Sequence, residues 1–256
     1  VNIDEKAAIA EQFGVANEQV ERDHLISHLL AFLSWDFGDR IHFIGGTALA
    51  RTHLSNGRLS EDIDLIAVGD RKSVAAGLDA ALPRALARTH GRLALDPALS
   101  SVPDTRPAIL RTSDGLAVRL QLLSSRDRIV WPTERRSLVQ RYADAPAAEL
   151  LVPTLPAFAA SKTATWFDRH ASRDLWDLWA LDRIGAIDAE AESLYRRFGP
   201  TNRPPALWDF TIAPTAADWQ NQLAGQTRLT ISPNDALTAV HDAWAQVIAA
   251  SDSGPA

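Results

Sequence analysis

The sequence predicts an α+β fold: a small β-sheet with helices against it in the N-terminal half, followed by a helical C-terminal domain. Three observations carry this reading. Short apolar runs of period two lie between residues 41 and 124, helical apolar spacing fills the chain before Gly38 and again after Val152, and Pro146, Pro153 and Pro156 punctuate the change. The predicted domains are residues 1–150, including N-terminal helices, and residues 151–256.

Taken in order, the first forty residues read as helix, with Asn17 as the N-cap of EQVERDHLISHLLAFLSWDF. There Val20, Leu25, Ile26, Leu29, Leu30 and Leu33 form an apolar stripe that Gly38 ends. IHFI, 41–44, reads as a buried strand entering a tight turn at Gly45 and Gly46, after which Thr47 is placed to cap a short helix, TALARTHL. The loop SNGRLSE leads to DIDLIAV, 62–68, a strand with Ile63 and Leu65 on one face and Asp62 and Asp64 on the other. A helix from about Lys72 to Thr89 carries Val74, Leu78, Leu82 and Leu86, with Pro83 as a kink. RLALD, PAILRT and LAVRLQLLS read as strands, the last two joined by a hairpin turn at Ser113-Asp114-Gly115. Beyond Val152, LPAFAASKTATWFDRH, RDLWDLWALDRIG and segments near 188–198, 215–224 and 234–250 read as helices, and the tail SDSGPA as frayed.

Composition bounds the chemistry. A hydrophobic content of 46% with 23% charged residues is that of an ordinary folded protein. The formal charge of −6, from 26 basic and 32 acidic residues, argues against a wholly basic nucleic-acid coat. Without Cys there are no disulfides, zinc-thiolate sites, iron-sulfur clusters or cysteine nucleophiles, so catalysis falls to carboxylates, hydroxyls, His, Lys or Arg. No stretch approaches the ~20 apolar residues of a membrane span and no signal segment is visible, so a cytoplasmic protein is expected.

The informative segment is FIGGTALARTHLSNGRLSEDIDLI, residues 43–66. Alternation sends Asp62 and Asp64 to one strand face, about 7 Å apart at their Cα atoms, where they repel each other unless a cation lies between them. Oxygen donors without Cys suit Mg²⁺ or Mn²⁺, which share substrate phosphates. Gly45 and Gly46 let backbone N–H groups approach a ligand, and Thr47 begins a helix whose N-terminus favours phosphate. A metal face and a phosphate cradle on successive strands are what holding a nucleoside triphosphate requires. Either feature alone reads as a solvated acid pair or a plain turn; their joint occurrence in apolar surroundings points to a site.

These residues resemble the abortive-infection nucleotidyltransferase toxins of the AbiEii/AbiGii type, including the MenT toxins, within the DNA polymerase β-like superfamily. GGTAL at 45–49 with RLSEDIDL at 58–65, VERDHLISHLL at 20–30 and SKTATWFDRHASRDLWDL at 161–178 carry the resemblance. It implies a nucleotidyltransferase fold with a small mixed β-sheet flanked by helices, and a helical C-terminal domain completing the active cleft. It also implies transfer of a nucleoside monophosphate from an NTP to the 3′ acceptor end of tRNA, with a cognate antitoxin as partner. Asp62 and Asp64 would hold Mg²⁺, while Gly45, Gly46 and Thr47, assisted by Arg58 or Ser60, would hold the triphosphate. From spacing alone, Lys162 reads as a helix-surface residue paired with Asp168 or Asp174; the resemblance assigns it instead to the triphosphate or to the transfer step. Only three of the 26 basic residues are Lys, and an ammonium can give up a proton where a guanidinium does not. Many relatives place a third carboxylate on a later strand as general base, where this chain has Arg119 and Gln121. The base is then Asp174 or Asp177, or the hydroxyl is activated by the metal alone; Arg119 serves phosphate charge or pairs with a neighbouring acid.

RDRIVWPTERRSLVQR, 126–141, sets Arg126, Arg128, Arg135, Arg136 and Arg141 around Trp131, a mixture that grips a nucleic-acid backbone or forms a solvated basic face diluted by Asp127 and Glu134. Trp166, Trp176 and Trp179 read as core. The seven His show no ligand spacing, and His42 and His53, near the cradle, read as satisfied structural residues. Three rivals remain open: the same chemistry on a small molecule or protein side chain, a non-catalytic nucleotide-binding module, and a hydrolase using the acidic face to activate water.

Overall fold

Period-two burial builds a mixed sheet from seven strands among the described residues: Ile41–Ile44 (β1), Asp62–Ala67 (β2), Ala94–Asp96 (β3), Ala108–Arg111 (β4), Ala117–Ser124 (β5), Thr133–Ser137 (β6) and Glu149–Pro153 (β7). The computed structural model describes residues 2–126, 128 and 130–253; Asp127 and the tail residues Gly254 to Ala256 lie outside them. The strand order is β3-β4-β5-β2-β1-β7-β6. β1 runs antiparallel to β2, and β4 to both β3 and β5, whereas β2 is parallel to β5 and β1 to β7. By residue contacts the chain divides into two compact units, Val1–Val152 and Pro153–Ala256.

In the first unit, Ile3–Phe13 (α1) and Asn17–Phe37 (α2) precede the sheet, Gly45–Thr52 (α3) joins β1 to β2, and Arg71–Ala85 (α4) follows β2. The N-terminal segment is two helices, not one. Gly14 takes φ +67°, returns its N–H to the Ala10 carbonyl and ends α1. Asn17 is the first helical residue of α2, after an N-cap position held by Ala16 without a side-chain bond. Likewise α3 begins at Gly45, so Thr47 lies inside its first turn and is not the cap. Pro83 sits in the last turn of α4, which ends at Ala85 rather than continuing to Thr89.

The second unit is helical: Leu155–Arg169 (α5), Ser172–Arg183 (α6), Ala189–Phe198 (α7), Ala216–Leu223 (α8) and Pro233–Asp252 (α9). Thr154, Asp188, Thr215 and Ser232 each cap a following helix through a side-chain oxygen. Phe158, Trp166, Leu175, Leu178, Tyr195, Trp219 and Trp244 form its core, and Trp176 is buried in T-shaped contact with Trp179, ring centroids 5.8 Å apart. No helix among the described residues is long and apolar enough to cross a membrane.

A buried ionic network ties α3 to α2. Arg51, 1% exposed, donates from Nη2 to Asp23 Oδ1 at 2.8 Å and from Nη1 to Ser27 Oγ at 2.8 Å and the Val139 carbonyl at 3.0 Å. Arg141 Nη1 and the Tyr142 hydroxyl also donate to Asp23, at 3.4 and 3.1 Å. Burial pushes the Arg51 guanidinium down to about 10, where it still carries its charge at neutral pH beside Asp23. Asp23→Ala leaves two guanidinium groups buried without their counter-charge and is expected to lower the unfolding free energy by about 3–5 kcal/mol. The check is a lower urea midpoint at unchanged denaturant slope.

Candidate active site

The pairing of β1 with β2 sets Ile44 opposite Asp64, so the chain leaving β1 passes directly over that carboxylate. Glycine is required there: Gly45 has φ +80°, and a Cβ on it would stand 2.6 Å from Asp64 Oδ2. A Cβ on Gly46 would press into Arg58 Nη2 and stand 3.3 Å from Ser60 Oγ. Arg58 and Ser60 are themselves buried, on a loop whose Leu59 carbonyl accepts from Gln19 of α2 at 3.2 Å. No side chain caps the start of α3, so its first-turn N–H groups, those of Gly45, Gly46 and Thr47, present the positive end of the helix beside the acid pair. The Thr47 hydroxyl donates to the Asp62 carbonyl, which ties α3 to β2 and leaves the backbone N–H as the group Thr47 offers a phosphate.

Asp62 and Asp64 alternate with Ile63 and Leu65, which are 1% and 0% exposed, so the acids lie half-buried on the opposite face. On the other side of β2, Asp62 registers with Arg119 and Asp64 with Gln121. Arg119 donates from Nη1 to Asp62 Oδ2 at 3.1 Å and from Nη2 to Gln121 Oε1 at 3.1 Å. Arg119 thus pairs with a neighbouring acid, and β5 offers no carboxylate at either position beside the pair. Gln121 donates on to the Asp104 carbonyl at 3.1 Å. The Asp104 carboxyl, which sequence reasoning missed, is held below its usual range by the Ser124 N–H and by Arg128, which makes it a poor proton acceptor. The donor set fits a hard divalent cation: two half-buried carboxylates two residues apart on one strand face, beside a glycine cradle that a Cβ would fill.

The second unit assembles the other predicted residues. Lys162 is buried at 7% exposure, not on a helix surface, with Nζ 3.2 Å from Asp174 Oδ1 and 2.6 Å from Asp177 Oδ2. Arg169 closes on Asp174 from Nε at 2.6 Å and Nη2 at 3.0 Å. Burial works against ionisation of Asp174, but the Lys162 charge and the Arg169 hydrogen bond outweigh it and hold the carboxyl below its ordinary value. The two acids of RDLWDL, three apart on α6, are therefore anchors of one buried ammonium.

The basic run of 126–141 disperses. Arg128 pairs with Asp104, Arg135 with Asp39, Arg136 with Glu134, and Arg141 is buried on Asp23 and the Ala50 and Ser55 carbonyls. His53 Nε2 stands 3.7 Å from Glu134, but His42 Nδ1 is buried with no hydrogen bond among the described residues, contrary to the expectation of a satisfied ring. The absence of ligand spacing among the histidines is also corrected: His24 and His28, one turn apart on α2, meet Asp144.

Removing the Lys162 ammonium leaves Asp174, still held by Arg169, and Asp177 as neighbouring buried carboxylates, so the pair is expected to take up one proton more readily in the folded chain than in the unfolded one. A raised folded-state pKa stabilises at low pH and is lost as pH rises. Lys162→Met is therefore expected to lose more stability, relative to the parent, at pH 8 than at pH 5; equal losses in thermal unfolding at both values would contradict the geometry.

A family model described as the nucleotidyl transferase AbiEii toxin of type IV toxin–antitoxin systems matches residues 29–249. Among solved structures, the nucleotidyltransferase toxin MenT4 of Mycobacterium tuberculosis superposes with a TM-score of 0.70 at 23% identity, over 95% of this chain and 89% of that one. A nucleotidyltransferase structure from H. pylori superposes with a TM-score of 0.53 at 15% identity, over 93% and 98%. No curated protein matches the chain. The structural likenesses show the fold, and the family model spans most of the sequence: the chain belongs to the AbiEii nucleotidyltransferase toxins of type IV toxin–antitoxin systems.

Proposed function

We propose that this nucleotidyltransferase moves a nucleoside monophosphate from an NTP to the 3′ acceptor end of tRNA, releasing pyrophosphate and so blocking translation in the cytoplasm, with a cognate antitoxin restraining it. The observation that carries the chemistry is the Gly45-Gly46 crossing over Asp64, which sets the uncapped start of α3 beside the acid pair of β2.

In this reading Asp62 and Asp64 hold Mg²⁺ or Mn²⁺. When bound, that ion draws charge from the α-phosphate and the departing pyrophosphate. The N–H groups of Gly45, Gly46 and Thr47 orient the β- and γ-phosphates, and Arg58 and Ser60 support the turn from behind. Arg119 exchanges its half-exposed bond to Asp62 for phosphate oxygen, a change with a small cost because such pairs contribute about 0–1 kcal/mol. Lys162, oriented by Asp174 and Asp177, assists transfer; the support is the match of its motif to the family together with burial that a surface lysine does not need. Asp174 and Asp177, 3.2 and 2.6 Å from the Lys162 ammonium, are the two candidates for a general base.

A second reading keeps the chemistry and changes the acceptor to a small molecule or a protein side chain. It is favoured by the pairing of Arg128, Arg135, Arg136 and Arg141 with acids, which weakens the reading of 126–141 as a basic face that grips a nucleic-acid backbone.

Incubating the chain with labelled NTPs and separately with total RNA, total protein and small-molecule acceptors distinguishes these readings. Label at the 3′ end of tRNA is expected, and label confined to another pool would replace tRNA as acceptor. Asp62→Ala and Asp64→Ala are each expected to lower transfer by about a hundred-fold or more with the fold intact, since both act at the reacting phosphates. Full activity in either variant would remove the acid pair from the mechanism. Lys162→Arg is expected to lose about an order of magnitude despite its retained charge, through the geometry and fixed protonation of the guanidinium; wild-type turnover would return Lys162 to a purely structural role.

A further inference from the structure

Three histidines and an aspartate converge in the first unit, remote in sequence from the Gly-Gly and Asp-x-Asp motifs. His24 and His28 are buried one turn apart on α2, Asp144 lies on the segment between β6 and β7, and His90 lies after α4. His24 Nε2 is 3.2 Å from His28 Nε2 and 3.0 Å from Asp144 Oδ1, and the third edge, His28 Nε2 to Asp144 Oδ1, is 3.9 Å. A tetrahedral ion with bonds of about 2.0–2.2 Å to nitrogen and oxygen spaces its ligand atoms about 3.2–3.6 Å apart. The His24–His28 edge falls in that range, and the other two lie about 0.2 Å below and 0.3 Å above it.

A chain of hydrogen bonds runs behind the ligands. His90 Nδ1 lies 3.0 Å from the Thr89 hydroxyl, and His90 Nε2 lies 3.1 Å from His24 Nδ1. In the tautomer in which His24 Nδ1–H donates to His90, His24 turns the lone pair of Nε2 toward the two oxygens of Asp144, at 3.0 and 3.1 Å, which is the form that ligation requires. An ion placed there meets two imidazole nitrogens and one carboxylate.

We propose that His24 Nε2, His28 Nε2 and Asp144 bind a zinc-type divalent ion, with His90 as the outer partner that fixes the His24 tautomer. Imidazole nitrogens with a single carboxylate select zinc-like ions over Mg²⁺, so this site is distinct in chemistry from the all-oxygen pair at Asp62 and Asp64. Solvent reaches it: the Asp144 side chain is 47% exposed, and a cavity of about 350 Å³ lined in part by His28, Trp35, Thr89 and Pro146 adjoins it. Binding there joins α2 to a segment 116 residues later in the chain, and so stabilises the first unit against local opening.

The test uses the full chain, stripped with chelator and held in excess Mg²⁺ so that the carboxylate pair does not compete. Titration of Zn²⁺ against a chromophoric chelator is expected to give one-to-one binding at micromolar protein and a rise in thermal midpoint. Affinity should fall about tenfold or more in Asp144→Asn and in His28→Gln. Co²⁺ should give the intense visible absorption of a four-coordinate ion. The half-exposed Asp144 keeps the test valid where the buried His28 variant fails to fold. Absence of stoichiometric Zn²⁺ binding, affinity unchanged in Asp144→Asn, or a six-coordinate Co²⁺ spectrum would each overturn the proposal and leave a hydrogen-bonded histidine core.

Discussion

Antiparallel pairing that sets Ile44 across from Asp64 is the constraint on which the candidate chemistry depends. It brings a glycine with positive φ over a carboxylate and starts α3 beside the acid pair. A slip of one residue would turn Asp62 and Asp64 into the core and Ile63 and Leu65 out of it, because side chains on a strand alternate. The core forbids that slip from both sides. Ile41 and Phe43 of β1 and Leu120 and Leu122 of β5 are all 2% exposed or less, and they demand apolar neighbours on β2. Two further bonds lock the helix that follows the turn: the Thr47 hydroxyl on the Asp62 carbonyl, and the Arg51 guanidinium on Asp23 of α2. A single register thereby fixes backbone donors, carboxylates and the supporting Arg58 at once.

The acids are balanced differently in the two units, and the difference follows from exposure. Asp62 meets a guanidinium that is 39% exposed, a pair screened by solvent and easily exchanged for a ligand. Asp174 and Asp177 meet a buried ammonium, where loss of either sign leaves a charge without compensation. Lys162 is the one buried lysine among the described residues, in a chain that otherwise uses arginine. The first arrangement suits a centre that must accept a cation and phosphates; the second suits a group held at a fixed position.

Much of this was legible in the sequence, for identifiable reasons. β1, β2, the β4–β5 hairpin and the helices of the second unit follow from apolar period and turn residues that act locally. β6 and β7 were not found: TERRS has no apolar alternation, and ELLVP is short and ends in Pro, so both owe their strand form to the sheet beside them. The Asp-x-Asp face and the Gly-Gly crossing were legible because strand alternation and glycine chemistry act over a few residues. The partners of Lys162 were only half legible, since spacing puts Asp174 and Asp177 on one helix face but says nothing of burial. The fate of the 126–141 arginines was hidden, because Arg128, Arg135, Arg136 and Arg141 each meet an acid distant or alternating in sequence. For the histidines, the one-turn spacing of His24 and His28 was the available signal, while His90 and Asp144 arrive only through the fold.

The β1–β2 turn and the acid pair are proposed to form one metal-dependent triphosphate site. Isothermal titration of NTP into the intact chain, with and without Mg²⁺, alongside Asp64→Asn, tests it most directly. One NTP bound per chain, with an affinity that rises with Mg²⁺ in the parent and loses that dependence in Asp64→Asn, is the result the structure leads to. The same Mg²⁺-dependent affinity in parent and variant would contradict it.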